Sequence, residues 1–203
     1  MSGIRAAMKA ECVPIFQDKP ALLRGSLCVD WFNFDLLHLL GNGIAKRTID
    51  ATVALMKASN PGRGVYKALL KKLNKLLKAD ILLWGSSPSS GTAIRAVYKD
   101  VSKFKNVTCK EYMYLIQKLL LVLFGDTGCE FFPAAEATAV RRVLSTLTDV
   151  LLIVSKKEWD KVTMTVLKGC VGRLGLEVHE AFSTVDTCIY YKIHIISHLV
   201  RFN

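Results

Sequence analysis

Apolar residues at Tyr66, Leu69, Leu70, Leu73, Leu76 and Leu77 recur at i, i+3, i+4, i+7, i+10 and i+11, which predicts one helix with a continuous apolar stripe. Upstream, the spacing of Ile49, Val53 and Met56 predicts a helix over Ile44–Ser59, stopped by Asn60-Pro61-Gly62. Gly41-Asn42-Gly43 reads as a turn, and Ser26–Leu37, where Asp30, Asn33 and Asp35 interrupt hydrophobics, as a strand with one buried face. Asp80–Trp84 is short and apolar and reads as a buried strand.

In the second half, Ile94, Val97, Tyr98 and Val101 predict a helix from Thr92 to about Phe104. Thr108-Cys109-Lys110-Glu111 fits a capping box, opening a helix through Tyr112, Leu115, Ile116, Leu119 and Val122 that stops near Gly125. Pro133 stands at the start of a helix over Ala134–Val154, with Val140, Leu144, Leu147 and Leu151 inward and Arg141 and Arg142 away from that stripe. Ser155-Lys156-Lys157-Glu158 fits a second capping box. It would open a helix with Trp159, Val162, Val166 and Cys170 inward, stopped by Gly169, Gly172 and Gly175. Leu174, Leu176 and Val178 alternate as a strand, and Ile189, Tyr191, Ile193 and Ile195 alternate as a final one. The expected architecture is α+β: a mostly helical single domain with a small antiparallel sheet formed by the early and C-terminal strands. Residues 1–25, with Pro14 and Pro20, read as an N-terminal arm and 26–203 as the globular domain, with the Gly85–Gly91 loop as the candidate lobe boundary.

Charge changes this picture. The chain carries 28 Lys and Arg against 17 Asp and Glu, a net charge of +11. Such an excess raises the local concentration of anions: nucleic acid, acidic lipid headgroups or an acidic protein. It concentrates on the Tyr66–Lys78 helix, whose polar side is Lys67, Lys71, Lys72, Lys75 and Lys78 with no acidic residue among them. Surface helices ordinarily gain a few tenths of a kcal/mol per Glu–Lys pair at i,i+4, and this one forgoes it. The same pattern also suits a core-packed helix with a solvated lysine face. Arg63, Lys99 and Lys103 join the five lysines as candidate contacts to a phosphate backbone or lipid surface.

Catalytic and metal chemistry find little support. No two of the six cysteines (12, 28, 109, 129, 170, 188) lie within four residues of each other, so no local zinc or redox pair forms, and reduced thiols are expected. Gly85–Thr92 lacks the lysine a phosphate loop needs, since Gly91 occupies that place. His194 and His198 would suit a metal only on a helix, and the alternation there reads as strand. His179 shares a strand face with Glu177 in this reading, without an identifiable nucleophile. Cys129 has no adjacent base. The chain is therefore read as non-enzymatic, with no cofactor and no small-molecule substrate. Its longest strictly apolar run, Leu119–Phe124, is far too short to span a bilayer. The start of the chain lacks the apolar core of a secretory signal, so an intracellular place, peripheral to a membrane or in a virion, is expected.

The order of elements is similar to the globular domain of rhabdovirus matrix proteins. It resembles them in an aromatic-rich strand Val29–Leu37, a turn, helix Ile44–Ala58, a Gly/Arg turn at Pro61–Gly64 and a helix opening at Tyr66. The C-terminal order is similar too: helix Trp159–Cys170, strand Leu174–Val178, final strand Ile189–Ser197 and a Ser-His-aliphatic tail. The likeness covers about half of the chain, in order and residue character, with no diagnostic motif. The chain lacks the proline-rich budding motif and long Lys-rich leader of animal-virus members, which suits a divergent or plant-infecting one better. The resemblance implies a viral matrix protein: structural, self-associating, and linking ribonucleoprotein to an acidic membrane surface in the host cytoplasm and virion. The alternative that the residues allow is a sequence-tolerant nucleic-acid-binding protein of nucleocapsid, movement or silencing-suppressor type.

Overall fold

The computed structural model describes residues 39–79, 100–103, 107–155 and 160–185, together with 189, 192, 193 and 196. They fall within one compact unit, His38–Asn203. A π-helical turn, Leu39–Ala45, leads into α1, Lys46–Ser59, and then α2, Arg63–Ala79. A 3-10 turn, Val101–Lys103, precedes α3, Cys109–Val122. A second 3-10 turn, Gly125–Glu130, leads to α4, Ala134–Val154, and α5, Lys161–Phe182.

The centre of the fold is the α4–α5 hairpin, with α3 against α4 and the Leu39–Ala45 turn against both α1 and α3. On α4, Val140, Leu144, Leu147 and Leu151 are all but completely buried, as their spacing predicts. Leu115, Ile116 and Leu119 of α3 and Ile49 and Met56 of α1 complete the core. The Thr108–Glu111 capping box closes both ways: the Glu111 N–H donates to Thr108 Oγ1 at 3.3 Å and the Thr108 N–H to Glu111 Oε2 at 2.7 Å. Thr108→Ala should cost about 1 kcal/mol, read as a shifted denaturant midpoint with an unchanged slope.

The expectation of an α+β fold with an antiparallel sheet is overturned, since the described residues are helical and contain no strand. Leu174–Val178, expected as a strand, lies inside α5, and Gly169, Gly172 and Gly175 do not stop that helix. The reason is tertiary. Leu167, Cys170, Val171, Leu174, Val178, Ala181 and Phe182 make a helical stripe buried in the core. Glycine in a helix costs up to about 1 kcal/mol each, and burying that stripe, at about 25 cal/mol per Å² of apolar surface, outweighs it. The inward residues expected from Val162 and Val166 are also corrected: these are 70% and 50% exposed, on the outer side of α5. The final strand is likewise helical at each described position, with Ile189, Ile193 and Ile196 buried at i, i+4 and i+7. The alternation of Ile189, Tyr191, Ile193 and Ile195 hides that helical period in the sequence.

Two local signals also differ from the structure. Ser155, expected to open a helix, instead ends α4, its hydroxyl donating back to the Leu151 carbonyl, and the rest of the expected Ser155–Glu158 box lies outside the described residues. The N-cap of α5 is Asp160, whose carboxylate accepts the Thr163 N–H at 2.6 Å. Gly41 and Gly43 stand within the π-helical turn and are not a tight turn of their own. A Cβ on Gly41 would fall 2.5 Å from that of Cys109, so this glycine lets the turn lie directly on the start of α3. The expected strands at 26–37 and 80–84, the N-terminal arm, the 85–91 loop and most of the helix expected over 92–104 lie outside the described residues.

Tyr112 of α3 is buried, and burial, then the negative charges of Asp50 and Glu111, push its phenol above its ordinary range. A raised folded-state pKa means that the stability this group contributes is complete below about pH 10 and is lost as pH rises through the folded value. Unfolding free energy should therefore fall in alkaline solution, with tyrosinate absorbance rising late. Tyr112→Phe should flatten the alkaline limb of the stability curve.

Candidate anion-binding surface

Helix α2 carries the candidate residues. Its core contact is narrow: Leu73 and Leu77 are buried, while Tyr66, Leu69, Leu70 and Leu76 are only partly covered. Tyr66 has its phenol shifted up by burial and then by the charge of Asp100. Asn74 fixes the neighbouring turn to α2, its Nδ2 donating to Asp100 Oδ1 at 3.1 Å and its Oδ1 accepting the Val101 N–H at 3.0 Å.

Lys67, Lys71, Lys72, Lys75 and Lys78 are all exposed. At 100° per residue, Lys67, Lys71, Lys75 and Lys78 fall within an arc of about 80°, and at 1.5 Å per residue they extend over about 16 Å. Among the described residues none of these four has an acidic partner. Lys72 stands apart on the flank of the helix and is paired with Glu130. The five expected lysines thus divide into a ridge of four and one structural pair. Arg63 is the first residue of α2 and Lys103 the last of the Val101–Lys103 turn, whereas Lys99 lies outside the described residues.

One functional lysine escaped the pattern. Lys118, on α3, is 2% exposed, and its ammonium donates to the Leu77 carbonyl at 2.8 Å and lies 5.8 Å from the centre of the Tyr114 ring. Leu77 is in the last turn of α2, where carbonyls have no helical partner and the dipole is negative. A cation supplied from α3 satisfies both and holds the end of the ridge against the core. A lysine set in an apolar run, Lys118-Leu119-Leu120-Leu121, is the only sequence trace of this role.

Other candidate chemistry does not assemble. Glu177 and His179, expected on one strand face, are about 160° apart on α5. Glu180 pairs with Arg142 at 3.3 Å. Cys129 is exposed, while Cys109 and Cys170 are buried free thiols. No cluster of metal-ligating residues occurs among the described residues, and His194 and His198 lie outside them. No described helix is long and apolar enough to cross a membrane.

The fold and surface together define a helical domain with one long basic helix laid along its outside. No family model, curated protein or solved structure matches the chain.

Proposed function

We propose that this is a non-enzymatic, peripheral scaffold protein of matrix type, which docks on acidic phospholipid through the α2 ridge and thereby brings ribonucleoprotein to a membrane. The observation that carries this reading is the ridge itself: four exposed lysines in line, without acidic partners among the described residues. Such lysines are free to meet external phosphate, whereas a merely solvated surface would ordinarily interleave charges of both signs. Near an acidic leaflet each is worth about 1 kcal/mol, so four reach about 4 kcal/mol without inserting any group. Single-stranded RNA is a second polyanion, but its sequence-tolerant readers add aromatic platforms for base stacking. Tyr66, Tyr112 and Tyr114 of α2 and α3 are all buried or partly covered. A lipid surface asks only for a row of charge. Leu174–Val178 and each described position of Ile189–Ser197, on which the C-terminal part of the matrix likeness drew, are helical, so the proposal rests on the ridge.

The test is co-sedimentation with acidic and neutral vesicles beside single-stranded RNA filter binding, each over a salt series. Salt-sensitive binding to acidic vesicles is expected, and binding only to RNA would replace this reading with a nucleic-acid-binding one. Binding to neither would leave the lysines a solvated surface.

A further inference from the structure

Four of the five α2 lysines have no acidic partner among the described residues, and the fifth, Lys72, is held by Glu130. Lys72 is three residues before Lys75, which places it 60° round the helix and about 4.5 Å along it. Side chains at that spacing are surface neighbours, with Cβ atoms about 5–6 Å apart. The row of free charge therefore borders on a cation that a carboxylate of the same chain already occupies.

The pair is not what fixes its own surroundings. Its two side chains are 49% and 48% exposed, and ion pairs standing in water contribute little to folding stability. The turn that ends at Glu130 is anchored by other contacts. The Phe131 and Phe132 N–H groups both donate to the Gly128 carbonyl at 3.1 Å, and both phenylalanine side chains are buried. Asn60, at the end of α1, donates from Nδ2 to the Phe131 carbonyl at 3.0 Å and to the Met56 carbonyl at 2.9 Å. A Cβ on Gly128 would stand 2.6 Å from the Leu123 carbonyl oxygen, so the turn is drawn tightly onto the end of α3. Glu130 can let go of Lys72 while its backbone stays in place.

We propose that Lys72 is a fifth headgroup-contacting lysine and that Glu130 is an internal competitor, its carboxylate standing where a lipid phosphate would sit. This rests on the lipid-docking reading above and adds to it a gate on one of the contacts. The negative potential of an acidic leaflet attracts the Lys72 ammonium and repels the Glu130 carboxylate, so the approach of the membrane itself opens the pair. In the free chain Glu130 cancels the charge at that edge of α2. Docking is weaker than five free lysines would make it, and rises steeply once the surface is acidic enough to displace the carboxylate.

The experiment compares wild type, Glu130→Gln, Glu180→Gln and Lys72→Gln/Glu130→Gln on phosphatidylcholine vesicles containing phosphatidylserine, at low and high salt. Thermal melts establish that each variant is folded. One further free lysine near an acidic leaflet is worth about 1 kcal/mol, so Glu130→Gln should bind about fivefold more tightly than wild type at low salt. Salt should erase that gain. Glu180→Gln removes the partner of Arg142 and makes the same change in net charge, and it should bind as wild type does. Lys72→Gln/Glu130→Gln should fall back to the wild-type level, because the gain passes through Lys72. In the unaltered chain, carbodiimide-driven labelling of Glu130 should quicken when acidic vesicles are added, as the carboxylate is released. Glu130→Gln binding like wild type, a gain that survives in the double variant, an equal gain from Glu180→Gln, or an unchanged labelling rate would overturn the gate and leave the ridge standing. Absence of binding by wild type and Glu130→Gln alike would overturn both.

Discussion

Reversing Lys67, Lys71 and Lys75 to glutamate in one chain should lower its partition onto acidic vesicles by at least about a hundredfold. Three lysines near an acidic leaflet contribute about 3 kcal/mol, and every 1.4 kcal/mol is a factor of about ten in affinity. The introduced carboxylates add repulsion. The effect should be largest at low ionic strength and shrink as the Debye length falls to about 10 Å at 0.1 M salt. Folding should hardly change, because the three side chains are exposed and take part in no ion pair among the described residues. Surface substitutions of this kind usually stay within about 0.5 kcal/mol. Lys72 is best left in place, since its reversal would also break the Glu130 pair and confuse docking with packing. A variant that keeps full vesicle binding with an unchanged melt would remove the ridge from the mechanism.

Lys118→Ala should be among the most destabilising single changes in the protein, by about 3 kcal/mol. It removes a buried aliphatic stem, with a cavity penalty like that of other large-to-small core changes, and leaves the Leu77 carbonyl without its donor. Hydrogen bonds to charged groups contribute about 1.5–3 kcal/mol. For a domain of this size that loss lowers Tm by roughly 6–12 °C. Lys118→Met separates the two contributions by keeping most of the volume, and it should cost about half as much. Hydrogen exchange should report where: amides in the last turn of α2, around Lys78, lose protection while those of α4 fall only with the global stability. If Lys118→Met were as stable as wild type, the ammonium would have no part in holding α2.

Helices with a long single stripe were legible in the sequence. The α2 and α4 stripes, the Thr108 cap and the Asn60 stop all stand where periodicity and capping chemistry put them. Elsewhere a short local signal competes with a longer period, and the longer one prevails. Three glycines suggested a helix end, yet the Leu167–Phe182 stripe runs past all of them because its burial against α4 decides the backbone. At Ile189–Ile196 a two-residue period (Ile189, Tyr191, Ile193, Ile195) and a helical one (Ile189, Ile193, Ile196) overlap, and tertiary burial selects the helical one. The lysine ridge was visible as composition, but its division was not. That Lys72 belongs to Glu130 depends on a residue 58 positions away. The role of Lys118 depends on one 41 positions away.

The α4–α5 hairpin also bears on how the chain reaches this state. Its two helices are joined by only six residues, from 155 to 160, and closing so short a connection sacrifices little chain entropy. Contacts between neighbours in sequence form early and quickly. The hairpin is accordingly expected to be the folding nucleus, with α1 and α3 condensing onto a surface it has already made. Val143→Ala, in that hairpin, should slow refolding, whereas Ile49→Val in α1 should chiefly hasten unfolding, a difference that the two limbs of a chevron plot would display. In that order of events the basic helix arrives late, laid on a finished core and held at its end by Lys118.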